Sequence, residues 1–162
     1  MAKNMQALGR QVQTVLGRVS ADALGITLPH EHLFVDASCL FLEPQEASLK
    51  EIAHAPVSLE NLSWVLYHQF NNLDNTRLLD EELVIKEVML YKKEGGGAIV
   101  DVTNIGLGRE PLAIARISRT TGMHVIMGSG YYVGESQGPE MDKKRKEEIA
   151  AEIAAYRASK SK

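Results

Sequence analysis

The sequence predicts an α/β fold built on parallel strands, and three observations carry that expectation. Short apolar runs alternate with longer segments of helical spacing, in the order strand, helix, strand, helix, strand, helix. One run, Ala98-Ile99-Val100-Asp101-Val102-Thr103, is almost continuously apolar, as a strand covered on both faces should be. The 162 residues are also enough for one domain with a real core.

Composition narrows the class further. A formal net charge of -3 argues against general nucleic-acid binding, which shows as a basic face. The single cysteine, Cys39, excludes an internal disulfide framework and fits a reducing compartment. Met1 to Ala7 lack the apolar core of a signal peptide, and no run approaches the roughly 20 apolar residues of a membrane span. The expectation is a cytoplasmic protein with no membrane or nucleic-acid partner.

Taken in order, residues 12–20 alternate apolar and polar around Gly17 and predict a hairpin. Ser20 to Gly25 form a turn into Gly25-Ile26-Thr27-Leu28-Pro29-His30-Glu31-His32-Leu33-Phe34-Val35-Asp36, which reads as a buried strand. From Asp36 to about Pro56 the chain has few periodic apolar positions, a connection long enough to be functional or poorly ordered. Ser58 then reads as the N-cap of a helix with Leu59, Leu62, Leu66 and Phe70 at helical spacing, widened by Trp64 and Val65. A second helix runs from about Asp80 to Glu94, acidic in its first turn and basic in its last, which suits the helix dipole. Gly95-Gly96-Gly97 is expected to end it. After the apolar strand comes a helix opened by Pro111 and stopped by Gly122, then a third strand, His124 to Gly130. A last helix spans about Lys146 to Ala158.

The most chemically loaded feature is His30 and His32. In a strand, residues two apart project to the same face, with Glu31 to the other. Two neutral imidazoles so placed can serve one metal ion. They can equally be strand histidines satisfied by hydrogen bonds. Parallel α/β folds collect sites at the carboxyl ends of strands, where both lie. Thr103-Asn104-Ile105-Gly106-Leu107-Gly108-Arg109 carries two glycines after a strand, but not the spacing of a dinucleotide or P-loop motif. These glycines read more simply as a tight turn. Tyr131 and Tyr132 at the end of the third strand fit either a pocket wall with a hydroxyl to spare or plain core packing. His54, His68, His124 and Cys39 lie in no pattern that carries chemistry, and Lys143-Lys144-Arg145-Lys146 reads as a solvated run.

Together the pieces Val12-Gln13-Thr14-Val15-Leu16-Gly17, Thr27-Leu28-Pro29-His30-Glu31-His32, Gly95-Gly96-Gly97-Ala98-Ile99-Val100-Asp101-Val102, Gly108-Arg109 and Gly128-Ser129-Gly130-Tyr131-Tyr132-Val133 resemble the phosphotriesterase family of the amidohydrolase superfamily, lactonases included. The resemblance runs from about Val12 over nearly the whole chain. It implies a (β/α)8 barrel with two divalent metal ions, zinc being the expected metal, and hydrolysis of phosphotriesters, lactones or related esters by a metal-activated hydroxide. It implies His30 and His32 as metal ligands, and Leu107, Tyr132 and Val133 at the border of the substrate pocket. The family completes its site with a carboxylated lysine, two histidines and an aspartate on later strands, which this sequence does not contain.

The resemblance therefore implies a single partial domain over residues 1–162, with a hairpin at 12–20 and the first three βα units of a TIM barrel at 25–158. A full barrel takes about 250 residues, so the barrel is expected to be incomplete. Two further expectations follow: the chain acts as the N-terminal part of a hydrolase, or it is a catalytically incomplete association module. In either case self-association or a C-terminal portion would cover its open sheet edge after the third strand. A small α/β domain with another strand order is the remaining alternative.

Overall fold

In a computed structural model, which describes residues 10–137 and 146–159, the elements follow the order β1 (Gln11–Thr14), β2 (Gly17–Ser20), β3 (Ile26–Glu31), β4 (Val35–Asp36), α1 (Ala47–His54), α2 (Leu62–Tyr67), β5 (Arg77–Leu78), α3 (Glu81–Lys93), β6 (Gly96–Asp101), α4 (Pro111–Thr121), β7 (His124–Met127) and α5 (Lys146–Ser159). The fold is α/β with a parallel sheet: β3, β6 and β7 lie side by side in that order. Among the described residues no helix is long and apolar enough to cross a membrane.

Register explains how the sheet carries its residues. Leu28 lies opposite Ile99, which lies opposite Val125, and Glu31 lies opposite Asp101, which lies opposite Met127. Between Leu28 and Glu31 the register slips, so β3 carries one more residue than β6 around Pro29 and His30. Proline has no N–H to give to a ladder, and a bulge is where a strand can accept one. Past the end of β6 the pairing continues for one more bond: Val102 N–H donates to Glu31 O at 2.9 Å. The expected buried strand from Gly25 to Asp36 is thus a shorter one, and Ile26 is 65% exposed, because among the described residues β3 has a neighbour on one edge only.

The core fills the space between this sheet and two helices. Ile99 and Val125 from the sheet pack with Val84 and Val88 of α3 and with Ala113, Ile114 and Ile117 of α4. Asp80 caps α3, its Oδ1 accepting the N–H groups of Glu82 and Leu83 at 2.9 and 3.1 Å. Pro111 opens α4, and Gly122 closes it with φ +65°, a conformation costly for other residues. Arg116 grips Glu81 with two guanidinium nitrogens and holds its carboxyl below the ordinary range, which ties α4 to α3 at the surface. The β1–β2 hairpin sits against the far strand, through Val15 N–H to Val125 O at 2.9 Å.

The segment between β4 and β5 differs most from the sequence expectation. Its supposed irregular stretch contains α1, which buries Ala53 completely. The helix expected from Ser58 begins only at Leu62, with Asn61 at its N-cap: Asn61 Oδ1 accepts the Ser58 N–H at 2.8 Å and its amide donates to Pro56 O, so side-chain bonds hold a turn where helix was expected. The apolar stripe is largely solvent-facing, with Leu59 at 92% and Leu66 at 61% exposed, while Val65 is buried. Asn72, fully buried, fastens α1 by donating to Ile52 O and Ala55 O, each at 2.9 Å, and accepting from Asn75 N–H.

The glycine triplet is divided between two jobs. Gly95 turns the chain out of α3 at φ +95°, whereas Gly96 and Gly97 already belong to β6. A Cβ on Gly97 would lie 2.1 Å from the Leu24 carbonyl oxygen, which is backbone and has no rotamer to escape into. Gly97→Ala is therefore expected to cost about 1–3 kcal/mol in urea unfolding. Gly134→Ala, whose Cβ would meet nothing within 4 Å, should stay within about 0.5 kcal/mol. Equal effects of the two would remove the close-approach explanation.

Candidate metal centre

His30 and His32 stand at the carboxyl end of the parallel sheet. His30 is exposed in the bulged part of β3, and His32, half-buried, follows directly after its last residue. Their rings meet edge to face, with centroids 5.9 Å apart and planes at 75°. They therefore occupy one side of the strand despite the register slip upstream.

Their surroundings are set by two buried residues that sequence reasoning passed over. Asp101, 0% exposed, ends β6 and accepts two backbone N–H groups, Leu33 at 2.8 Å on Oδ2 and Thr103 at 2.9 Å on Oδ1. Its carbonyl accepts Gly128 N–H at 2.7 Å, so one residue joins the ends of all three strands. Thr103, 2% exposed, bonds through its hydroxyl to His32 Nδ1 at 2.9 Å and to the Phe34 carbonyl at 2.8 Å. The available signal was an aspartate inside an otherwise apolar strand, since a buried carboxyl group must find donors.

The loops after β6 and β7 border the same end of the sheet. A bridge between Ile105 and Tyr131 joins them, with Ile105 N–H donating to Gly130 O at 3.3 Å, and Arg109 Nε donates to Gly128 O at the same distance. Gly106 and Gly108 take φ values of +96° and +72°, and a Cβ on Gly108 would lie 3.0 Å from Asp36. Both are turn glycines in a crowded corner. Leu107 is buried at 3% exposure, and its carbonyl accepts Asp36 N–H at 2.9 Å. Ser38 and then Arg77 hold the Asp36 carboxyl below its ordinary range, and the Arg77 ion pair at 3.5 Å spans the paired strands β4 and β5. Tyr132 and Val133 remain 49% and 39% exposed, while the Tyr131 hydroxyl donates to Glu152 of α5 at 2.6 Å.

The other histidines lie apart from the pair. His54 contacts Glu43 at 2.8 Å, His68 bonds to the Trp64 carbonyl and stacks on its ring, and His124 opens β7 at the opposite end. Cys39 is exposed. The run at 143–146 falls outside the described residues apart from the start of α5 at Lys146. Among the described residues no group of three or more His, Cys, Asp or Glu side chains is placed to hold a metal ion. Among the described residues His30 and His32 are thus a pair of possible ligands without a third.

Residues 10–152 match the phosphotriesterase family. Human N-acetyltaurine hydrolase is 39% identical over 140 residues, which is 84% of this chain and 39% of that protein. The protein of the same name from Dictyostelium discoideum is 34% identical over 146 residues, 78% of this chain and 40% of its own. The chain thus spans about two fifths of the length of these curated relatives. Among solved structures, a resiniferatoxin-binding protein from Rhodobacter sphaeroides superposes with a TM-score of 0.86 at 41% identity, over 90% of this chain and 41% of that one. The phosphotriesterase homology protein of Escherichia coli shares the fold, with a TM-score of 0.58 at 23% identity, over 82% of this chain and 35% of that one.

The Asp101 clamp gives a direct test. Asp101→Asn keeps the shape but turns one acceptor into an N–H donor facing a backbone N–H. One of the two bonds is lost and a buried donor is left unpaired. The expected loss of folding stability is about 1–3 kcal/mol by chemical denaturation. Asp22→Asn, on an exposed residue, should leave stability within about 0.5 kcal/mol.

Proposed function

The chain belongs to the phosphotriesterase family, and we propose from that premise that it serves a metal-dependent hydrolase, with His30 and His32 as two ligands of a divalent ion. The observation that carries this reading is the pair of imidazoles side by side at the carboxyl end of the sheet. In kind the donors suit a metal, because neutral imidazole nitrogen is a favoured ligand of zinc and its neighbours in the transition series. In number they fall short, since catalytic zinc takes three protein ligands and keeps one position open. On this reading the remaining donors come from outside the described residues. Zinc is the expected ion, and two ions are the family's usual complement.

A bound ion of this kind supplies Lewis-acid polarisation of a carbonyl or phosphoryl oxygen and makes water a nucleophile at neutral pH. This chain's own contribution is to hold the two imidazoles and to shape one wall of the pocket. On this reading that wall would be formed by Leu107, Tyr132 and Val133, of which Tyr132 and Val133 are exposed and Leu107 is buried. The bonds to test are phosphotriesters and lactones, joined by the N-acyl amide that the name of the N-acetyltaurine hydrolases brings in. A purely non-catalytic association module is less favoured, because these relatives are hydrolases by name.

A partner for the sheet edge belongs to the same proposal. A cleft of about 410 Å³ opens between β3, β6 and α3, lined by Leu28, Leu33, Leu83 and Tyr91 together with Glu31, His32 and Glu87. The free edge of β3 itself is what favours association.

Metal analysis after dialysis should find zinc or a similar ion in the wild type, and substoichiometric metal in His30→Ala and His32→Ala, with affinity lowered at least about 10-fold. Wild-type stoichiometry in both variants would overturn the ligand assignment. Turnover of the three substrate classes would then be sought on metal-loaded protein, and its absence from all of them would confine the activity to longer members of the family. In sedimentation velocity the expected outcome is concentration-dependent self-association; a single monomeric species at every concentration would overturn it.

A further inference from the structure

We propose that Thr103 is a positioning residue that sets the tautomer of His32, placing the ring proton on Nδ1 and leaving Nε2 as the bare nitrogen that could accept a cation. This inference rests on the reading of His32 as a metal ligand, but its first step does not. The Thr103 hydroxyl has one hydrogen and two neighbours within hydrogen-bond distance: the Phe34 carbonyl oxygen at 2.8 Å and His32 Nδ1 at 2.9 Å. A carbonyl oxygen can only accept, so the hydroxyl hydrogen goes to Phe34. The contact with His32 must then be filled from the other side, with Nδ1–H donating to the threonine oxygen. In the opposite arrangement two oxygens would face each other without a hydrogen in a site where Thr103 is 2% exposed. A buried acceptor left unmatched is disfavoured strongly enough to decide a tautomer.

The backbone on both sides of this bond is held in place. The Thr103 backbone N–H is bound to Asp101 Oδ1, and the N–H of Leu33, next to His32, is bound to Asp101 Oδ2. One buried carboxyl group thus holds both partners of the Thr103–His32 bond at fixed separation. The arrangement has the form of an outer-shell partner that orients a ligand and fixes which nitrogen is free. His30 has no such bond among those described, and it is exposed where His32 is half-buried. The two imidazoles are therefore unequal: His32 is held in advance, and His30 is free to adjust.

The test reads the tautomer itself. Two-bond ¹H–¹⁵N correlations of the His32 imidazole, recorded on the metal-free full chain with the ring neutral, should show a protonated Nδ1 and a bare Nε2. Thr103→Val keeps the shape without the hydroxyl and should release the ring into a mixture of tautomers. Zn²⁺ affinity by calorimetry should fall by about 10- to 100-fold. Thr103→Ser restores the hydroxyl and should return both readouts to wild type. If Thr103→Val unfolds, the wild-type and serine spectra still decide the matter. A wild-type His32 protonated on Nε2, or an unchanged tautomer and affinity in a folded Thr103→Val, overturns the inference. Wild-type protein with the expected tautomer but no Zn²⁺ binding would support the role of Thr103 and overturn the metal reading instead.

Discussion

A carboxyl group with no water around it must find donors, and Asp101 finds them in the backbone at the ends of its neighbouring strands. Its side chain takes the N–H groups of Leu33 and Thr103, and its carbonyl takes that of Gly128. Parallel strands are held to each other only by slanted ladder bonds that stop where the strands stop. Past that point the chain leaves in three different directions, toward β4, toward the loop before α4 and toward the loop after β7. Asp101 extends the order of the sheet by one layer beyond the ladder. The histidines and the two bordering loops start from that layer.

The bulge at Pro29 and His30 matters for the same reason. A strand in strict register would present its residues at fixed heights against β6. The extra residue in β3 lets Glu31 pair with Asp101 while His30 stands in the unpaired portion. Proline forbids a ladder bond at one position and the bulge absorbs the consequence. His32 emerges after the last paired residue, close enough to Thr103 to be bonded and still partly open to solvent. A half-open imidazole beside a rigid hydrogen-bond partner is a physically sensible place for a ligand.

Apolar residues are only partly withdrawn from solvent. Those of α3, α4, β6 and β7 form the buried cluster. Ile26 of β3, Leu59 before α2, Leu66 of α2, Leu90 of α3 and Leu112 of α4 are each more than half exposed. Natural sheets tend to cover or blunt open edges. Among the described residues β3 and β7 are the two edge strands of the sheet, and the proposed ligand pair lies at the end of β3.

The α/β class, the alternation of strands with helices, and the family can all be read from the chain alone. Those features rest on local signals: apolar runs, Asp80 and Pro111 at helix starts, Gly122 at a helix stop, and motifs spaced along the chain. Local signals failed where long-range contacts held the chain. The helix at Ala47–His54 is secured by Asn72, twenty residues away from the Ile52 carbonyl that its amide binds, and Asn61 rather than Ser58 starts α2. Gly96 and Gly97 look like helix stops but are strand residues, because the backbone at Leu24 and the Tyr91 ring leave no room for a side chain. At the candidate site the pair His30 and His32 was legible as a motif, whereas Asp101 and Thr103 were not. Their partners are 68 to 71 residues away in sequence, and only the pairing of β3 with β6 brings them together. Motif spacing records which side chains a strand offers; which nitrogen of an imidazole is free is decided by the neighbour across the sheet.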